Sequence, residues 1–334
     1  MLLSIIISNY NLQQELLKRC IDSVLATGIQ AEEYEMVVVD DGSAEPPVWI
    51  KEKYPFSNIR LLECEHGGLG SARNNGIDAA EGRYIIFLDG DDTLHTGNAL
   101  QPCLDRLKQE RPDILRFRFR YIAEGQPADN RKKQKVHFGN TISGAAYMAN
   151  GNLPGSSCCY FIRKEFIENK RIRFTPHIYH EDEEFTTMAH FHAQTLIDSD
   201  AIIYNYHIRE NSITRSKSPA DIAKREADHL AVIKRLCKFR SDTLEHSNSI
   251  QRRALHRKLT MLAVDYIINS INNGKSIKEI HRTCNEELAS VALYPFIKHG
   301  YGIKYNIFRK LANSTTGQRI LRLLLPSPPK AGKQ

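Results

Sequence analysis

The run Tyr84-Ile85-Ile86-Phe87-Leu88 stops abruptly at Asp89-Gly90-Asp91-Asp92. Five apolar residues followed at once by three carboxylates describe a strand buried on both faces whose C-terminal end opens into a cleft, where open α/β sheets bind their ligands. Three acids so close together repel one another. A divalent cation relieves that repulsion most simply, because hard ions such as Mg2+ or Mn2+ take carboxylate oxygens and are often held by one or two acids plus substrate phosphates. The same residues also fit a solvated turn capping a helix that starts near Asn98, so the rest of the chain has to decide.

Short apolar runs alternate with helical patterns over the first hundred or so residues, the signature of a parallel sheet with crossover helices. The pattern predicts strands at Leu2–Ile7, Met36–Val39, Ile59–Leu62 and Tyr84–Leu88, then near Ile114–Phe119, Cys158–Ile162 and Thr195–Tyr204. Leu16, Leu17, Cys20, Ile21, Val24 and Leu25 fall at helical spacing. Further helices are predicted over Ser71–Ala80, Ile142–Ala149 and Glu183–His192. Residues 123–140, with Arg131-Lys132-Lys133, read as an exposed polar excursion. After Ser218 the strand-like alternation ends, and residues 220–239, 249–273 and 276–293 read as basic amphipathic helices. A boundary near Pro219 therefore separates a catalytic domain, residues 1–218, from a basic helical region, residues 219–334. The final Pro326-Ser327-Pro328-Pro329 cannot be helical.

A second strand, Val37-Val38-Val39, also ends in acids, Asp40-Asp41-Gly42-Ser43. An acid at that point can accept hydrogen bonds from a ribose or a base, and it can equally open an ordinary Asp-Gly turn. The first strand ends in Ser8-Asn9-Tyr10-Asn11 without a G-x-G-x-x-G pattern, which argues against a dinucleotide-dependent oxidoreductase. Four ordered segments now stand together: Ser4–Asn11, Val38–Ser43, Gly67-Gly68-Leu69-Gly70-Ser71-Ala72-Arg73-Asn74-Asn75-Gly76-Ile77, and Gly82–Asp92. At this spacing over about ninety residues they resemble the family 2 glycosyltransferases. The resemblance implies a GT-A fold, an α/β Rossmann-like mixed sheet flanked by helices, here with a C-terminal helical region. It also implies a nucleotide-diphosphate sugar donor, a metal-dependent DxD motif and inversion at the anomeric carbon.

Carried over residue by residue, the resemblance gives Asp41 to the nucleoside, with Ser8 and Tyr10 lining the base pocket. Asp91 and Asp92 would serve the ribose and the metal, Mg2+ or Mn2+, while Asp89 shapes the strand end. Arg73 and Asn74 would lie near the donor or brace Asp40 or Asp89. His180-Glu181-Asp182-Glu183-Glu184-Phe185 could simply be acids favoured at a helix N-terminus. It also resembles the family's E-D-x-x-F segment, which makes Asp182 the base that takes the acceptor hydroxyl's proton and Glu181 an acceptor-positioning group. Tyr206–Thr214 resembles the segment that closes over the pyrophosphate. Relatives more often place Arg where this chain has His207 and His where it has Arg209, so either could contact phosphate or metal.

Charge is unevenly spread. Residues 219–334 carry 21 Lys and Arg against 9 Asp and Glu, whereas residues 1–218 carry 25 against 30. Basic helices without interleaved aromatic platforms favour an anionic membrane surface or partner over nucleic acid. Within residues 301–325, Ile303, Ile307, Leu311, Ile320, Leu321, Leu323, Leu324 and Leu325 alternate with Lys304, Arg309, Lys310, Arg319 and Arg322. That make-up suits a helix pair lying in a membrane interface, or one packed on the catalytic domain. No apolar stretch approaches the roughly 20 residues of a membrane span, and the N-terminus has no basic signal-peptide region. Seven cysteines without a C-x-x-C pair read as reduced packing residues, the adjacent Cys158-Cys159 included. The expectation is a cytoplasmic, peripherally membrane-associated transferase of cell-surface polysaccharide synthesis, moving a sugar, as from a UDP-sugar, to a saccharide or lipid-linked saccharide acceptor. A sugar-nucleotide-forming nucleotidyltransferase would need a Gly-rich, basic phosphate loop after the first strand. A non-catalytic binding protein is suggested only by the basic tail.

Overall fold

A computed structural model of the chain describes residues 1–56, 58–123, 126, 134–153, 155–209 and 218–325. Arg131-Lys132-Lys133, residues 210–214 of the Tyr206–Thr214 segment, and Pro326–Pro329 lie outside the described residues. The chain divides into two units, Met1–Tyr147 with Pro154–Ser216, and Met148–Leu153 with Lys217–Gln334.

The first unit is built on one eight-stranded mixed sheet, β1 (Leu3–Asn9), β2 (Tyr34–Asp40), β3 (Ile59–Glu63), β4 (Tyr84–Asp89), β5 (Thr93–Leu94), β6 (Ile114–Ile122), β7 (Tyr160–Arg163) and β8 (Leu196–His207). Its spatial order is β3-β2-β1-β4-β7-β6-β8-β5. Strands β1 to β4 are parallel neighbours, and β7 runs antiparallel to both β4 and β6, so β6 and its parallel partner β8 point the same way as β4. The C-terminal ends of β1, β2, β4, β6 and β8 therefore gather along one edge. Register sets the level: Asn9 lies opposite Asp40, Ser8 opposite Asp89, and Ile122 opposite His207.

The apolar runs of β1, β2 and β4 are continuous because both faces are covered: Ile5, Ile6, Ile7, Val38, Val39, Ile85 and Ile86 are fully buried. Each such side chain contributes roughly 1.5–3 kcal/mol. The helices of this unit are α1 (Gln14–Leu25), α2 (Trp49–Lys53), α3 (Leu69–Ala79), α4 (Leu100–Glu110), α6 (Lys164–Asn169) and α7 (Glu181–His192), and α5 (Gly144–Asn150) passes from this unit into the second. Small residues let α3 approach the sheet closely. A Cβ at Gly76 would stand 2.3 Å from Ile6 Cγ2, and one at Gly70 would stand 2.7 Å from the Thr175 carbonyl oxygen.

The second unit is helical: α8 (Pro219–Thr243), α9 (Ser249–Asn272), α10 (Ile277–Arg282), α11 (Ile303–Ala312) and α12 (Thr315–Leu324). Asn248 and Gln251 form a capping box at the start of α9, and Ser276 and Glu279 form another at α10. The single helix predicted over 276–293 is interrupted by a π turn at Thr283–Leu288. Among the described residues no helix is long and apolar enough to cross a membrane. All seven cysteines are free thiols, and Cys158 and Cys159 are buried. They begin not a strand but a short 3-10 turn, Ser157–Cys159, ahead of β7.

Candidate functional site

The ends of β1 and β2 are laced together by side chains. Asn9 Nδ2 donates to Asp40 Oδ1, and Ser43 Oγ donates to the same oxygen at 2.6 Å. Ser43 in turn accepts the Asn11 amide at 2.8 Å, and Asn11 Oδ1 accepts the Ala44 amide at 2.9 Å. Asp40 is thus a structural tie, and the groups left facing outward come from its neighbours. Tyr10 is exposed and stacks on His66, ring centroids 4.3 Å apart and 19° from parallel. Asp41 is buried; its Oδ1 accepts the Gly67 amide at 3.0 Å, its Oδ2 accepts the Gly68 amide at 2.9 Å, and His66 Nδ1 lies 2.9 Å from Oδ2. Gly42, at φ 73°, makes this turn possible, since a Cβ there would also stand 2.8 Å from the His66 nitrogen. Ser8 is buried, and its carbonyl accepts the Gly90 amide at 3.0 Å. His66 was not marked by sequence reasoning; its position just before Gly67-Gly68 carries no pattern of its own.

Arg73 lies on the inner face of α3 and is 1% exposed. Of the two places the sequence left open for it, near the donor or bracing Asp40 or Asp89, the contact with Asp89 matches the second, and two further carboxylates join it. Nη1 donates to Asp182 Oδ1 at 2.6 Å and to Glu181 Oε1 at 3.1 Å, and Nη2 donates to Asp89 Oδ1 at 3.0 Å. The guanidinium carbon also sits 5.4 Å from the Phe174 ring centre and 5.9 Å from that of Phe87. Burial opposes its charge, but Asp182 and Asp89 outweigh that, so its pKa is raised. The neighbouring Asn74 braces the backbone, exchanging hydrogen bonds with the amide and carbonyl of Phe174 at 2.9 and 2.8 Å. Asn74 is therefore spent on packing.

Glu181 and Asp182 open α7, whose first turn holds four acids, and Phe185 anchors the helix by stacking on Phe174 at 3.9 Å. Glu181 is buried, and this together with the Asp182 charge pushes its pKa up to about 7. Asp182 remains partly exposed, and burial raises its pKa against the pull of Arg73. One cation facing three carboxylates leaves the cluster negative.

The acidic end of β4 splits into two environments. Asp92 is 2% exposed; its Oδ2 accepts the Tyr204 hydroxyl at 2.6 Å and its Oδ1 accepts the His207 amide at 2.7 Å. Burial and the nearby Asp89 charge push its pKa up to about 7. Asp91 is half-buried; its side chain pairs with Arg209, and its carbonyl accepts Arg19 Nη2 at 2.6 Å. His207 Nε2 lies 2.9 Å from Thr93 Oγ1, and burial with the charges of Arg19 and Arg120 pushes its pKa down to about 4. Neutral His207 and charged Arg209 thus flank the acids, joined by Arg19, whose place on the exposed side of α1 gave no sequence signal.

Among the described residues no three His, Cys, Asp or Glu side chains converge as a ready-made metal centre. The hard oxygens present suit a cation that completes its shell on phosphate, and Asp91 fits that role better than Asp92, which is enclosed and already accepts at both oxygens. Asp89, two residues before Asp91 and half-buried on the Arg73 side, is the other carboxylate of this strand end.

The family model described as "Glycosyl transferase family 2" matches residues 4–170. The chain is 30% identical over 223 residues to the uncharacterized glycosyltransferase EpsJ of Bacillus subtilis, a match spanning 64% of this chain and 63% of the relative. It is 26% identical over 238 residues to the poly(ribitol-phosphate) beta-glucosyltransferase of Bacillus spizizenii, covering 70% of this chain and 34% of the relative. The matches thus span less than two thirds of these relatives' own lengths. The crystal structure of S. aureus TarS 1-349 in complex with UDP-GlcNAc superposes with a TM-score of 0.68 over 97% of this chain and 91% of that one, at 17% identity, a likeness of fold. The mixed sheet, the acidic end of β4 and the helical C-terminal unit agree with these matches: the chain belongs to glycosyl transferase family 2 and has its GT-A fold.

Proposed function

We propose that the chain is an inverting glycosyltransferase that moves a sugar from a UDP-sugar to a hydroxyl of a saccharide acceptor. The observation that carries this reading is the Arg73 cluster. One buried guanidinium holds Asp182, at the start of α7, and Asp89, at the end of β4, so a candidate base and the acidic strand end share one rigid anchor. Inverting transfer needs that pairing, because the base must stand across the anomeric carbon from the leaving diphosphate. Asp182 takes the acceptor hydroxyl's proton as its oxygen bonds to the anomeric carbon, and the bond from that carbon to the diphosphate oxygen breaks with its electron pair leaving on UDP.

Tyr10 offers its ring face to the base, and the buried Asp41 shapes the turn beside it. Arg209 and Arg19 supply positive charge beside Asp91 for the diphosphate. Mg2+ or Mn2+ on Asp91 would neutralise charge on the leaving diphosphate. The saccharide acceptor is supported by Tyr121, 65% exposed, with Tyr206 edge-on at 5.5 Å, at the same sheet edge as His207. Exposed aromatic faces of this kind suit the apolar faces of sugar rings. The relative named as a poly(ribitol-phosphate) beta-glucosyltransferase and the neighbour bound to UDP-GlcNAc agree with a UDP-sugar donor and a polymeric acceptor.

The test is incubation with a panel of nucleotide-sugars and Mn2+, reading nucleotide release. Release confined to one or two UDP-sugars, abolished by chelator and by Asp182→Asn, is the expected outcome. Turnover that is indifferent to both would overturn the reading.

A further inference from the structure

We propose that the α11–α12 hairpin is a docking surface for an anionic lipid bilayer, lying in the interface rather than crossing it. Each helix has two apolar faces, and only one is used in packing. Phe308 and Ala312 of α11 and Gly317 and Leu321 of α12 are buried. Close approach makes that packing tight: a Cβ at Gly317 would stand 2.1 Å from the Leu311 carbonyl oxygen, and Gln318 Nε2 donates to the Ala312 carbonyl at 2.8 Å. Asn313, between the helices, hydrogen-bonds both the amide and the carbonyl of Phe296, at 2.9 and 2.8 Å. The hairpin is held firmly from within, so its outward residues are presented rather than merely loose.

Those residues are large and apolar. Ile303 is 80% exposed, Ile307 54%, Leu323 85% and Leu324 69%. Ile303 and Ile307 stand one turn apart, as do Ile320 and Leu324, so each outward face is a stripe. A soluble surface seldom presents such a concentration without a partner.

Charge says which partner. From Leu288 to Gln334 the sequence has no acidic residue and eight Lys or Arg, among them Lys304, Lys310, Arg319 and Arg322 on the two helices. Two copies meeting here would set like charges against each other, whereas an anionic headgroup layer is complementary, and the apolar stripes reach the acyl boundary beneath it. The ten-residue helices are far too short to span a bilayer.

The experiment is flotation of the full chain with vesicles of phosphatidylcholine and phosphatidylglycerol in equal parts, beside vesicles of phosphatidylcholine alone, at low and high salt. The expected result is binding to the anionic vesicles that salt weakens, with little binding to the neutral ones. Leu323→Glu with Leu324→Glu, or Ile303→Glu with Ile307→Glu, should reduce the bound fraction about tenfold while leaving the melting temperature and UDP affinity unchanged. Undiminished flotation of these variants, or equal binding to neutral vesicles, would overturn the proposal. So would a wild-type chain that does not float but forms a dimer abolished by the same substitutions, which would make the hairpin an interface between copies.

Discussion

A guanidinium sealed from water must be neutralised by its surroundings, and around Arg73 three carboxylates do this on behalf of two different elements. Replacing it with Met leaves those carboxylates facing one another in a buried site. Breaking a buried ion pair from one side typically costs about 3–5 kcal/mol. Arg73→Met should therefore lower the denaturation midpoint and also move the acidic limb of the pH–rate profile upward, because Asp182 would lose the charge that favours its ionised form. A lower midpoint with an unmoved profile would confine Arg73 to structure. Asp182→Asn is the complementary test: the amide keeps the shape but cannot accept the proton, so turnover should fall by roughly 10²–10⁴-fold with UDP affinity retained. Asp91 and Asp92 should separate in another way. Asp91→Asn should abolish the gain in UDP affinity on adding Mn2+, measured by calorimetry. Asp92→Asn, which disturbs the bonds from Tyr204 and the His207 amide, should chiefly lower the melting temperature. The reverse order would exchange the two roles.

Elements became legible where their apolar pattern was long and uniform. The runs Leu2–Ile7, Met36–Val39 and Tyr84–Leu88 read as strands, the structure covers them on both faces, and the polar residues and acids that follow them mark the edge where the site forms. Strand β5 is two residues long and exists because Thr93 and Leu94 pair with Asn205 and Tyr204, partners 112 and 110 residues away that no local pattern announces. The destination of Arg73 was hidden for the same reason, its partners Glu181 and Asp182 lying 108 and 109 residues on. Its motif placed it near the acidic strand end, but not its burial. The π turn at Thr283–Leu288 was equally invisible, since it is one extra residue per turn inside an unbroken helical pattern. What the small residues of α3 foretold was contact. Gly76→Val should overpack against Ile6 and cost about 1–3 kcal/mol in denaturant unfolding, more than Gly274→Ala, where open space surrounds the position although the positive φ adds strain. Equal costs would mean that α3 does not lie as close to β1 as its glycine implies.

On the scale of the whole molecule, the buried acids tie stability to pH and to the donor. The folded pKa values of Asp92 and Glu181, both about 7, stand well above the ordinary 3.8 and 4.5, because the fold encloses them and sets other carboxylates beside them. The folded state therefore holds protons that the unfolded chain releases at lower pH. The sign follows: this contribution to stability is fully present below about pH 4, and it is lost as pH rises through 7. Between pH 5 and pH 8 the melting temperature should fall by on the order of 5 °C, with no offset from groups whose folded pKa is depressed, such as Glu35, because their contribution is already present above the ordinary carboxylate pKa. A cation bound with UDP would relieve the same repulsion, so it should raise the melting temperature more at pH 8 than at pH 5.5. Thermal shift assays across that range, with Mn2+ and UDP together and each alone, measure both effects. If the combined ligand stabilises the chain equally at both pH values, the acids around Asp92 and Arg73 are not what the donor site neutralises, and the diphosphate must be held by Arg19 and Arg209 alone.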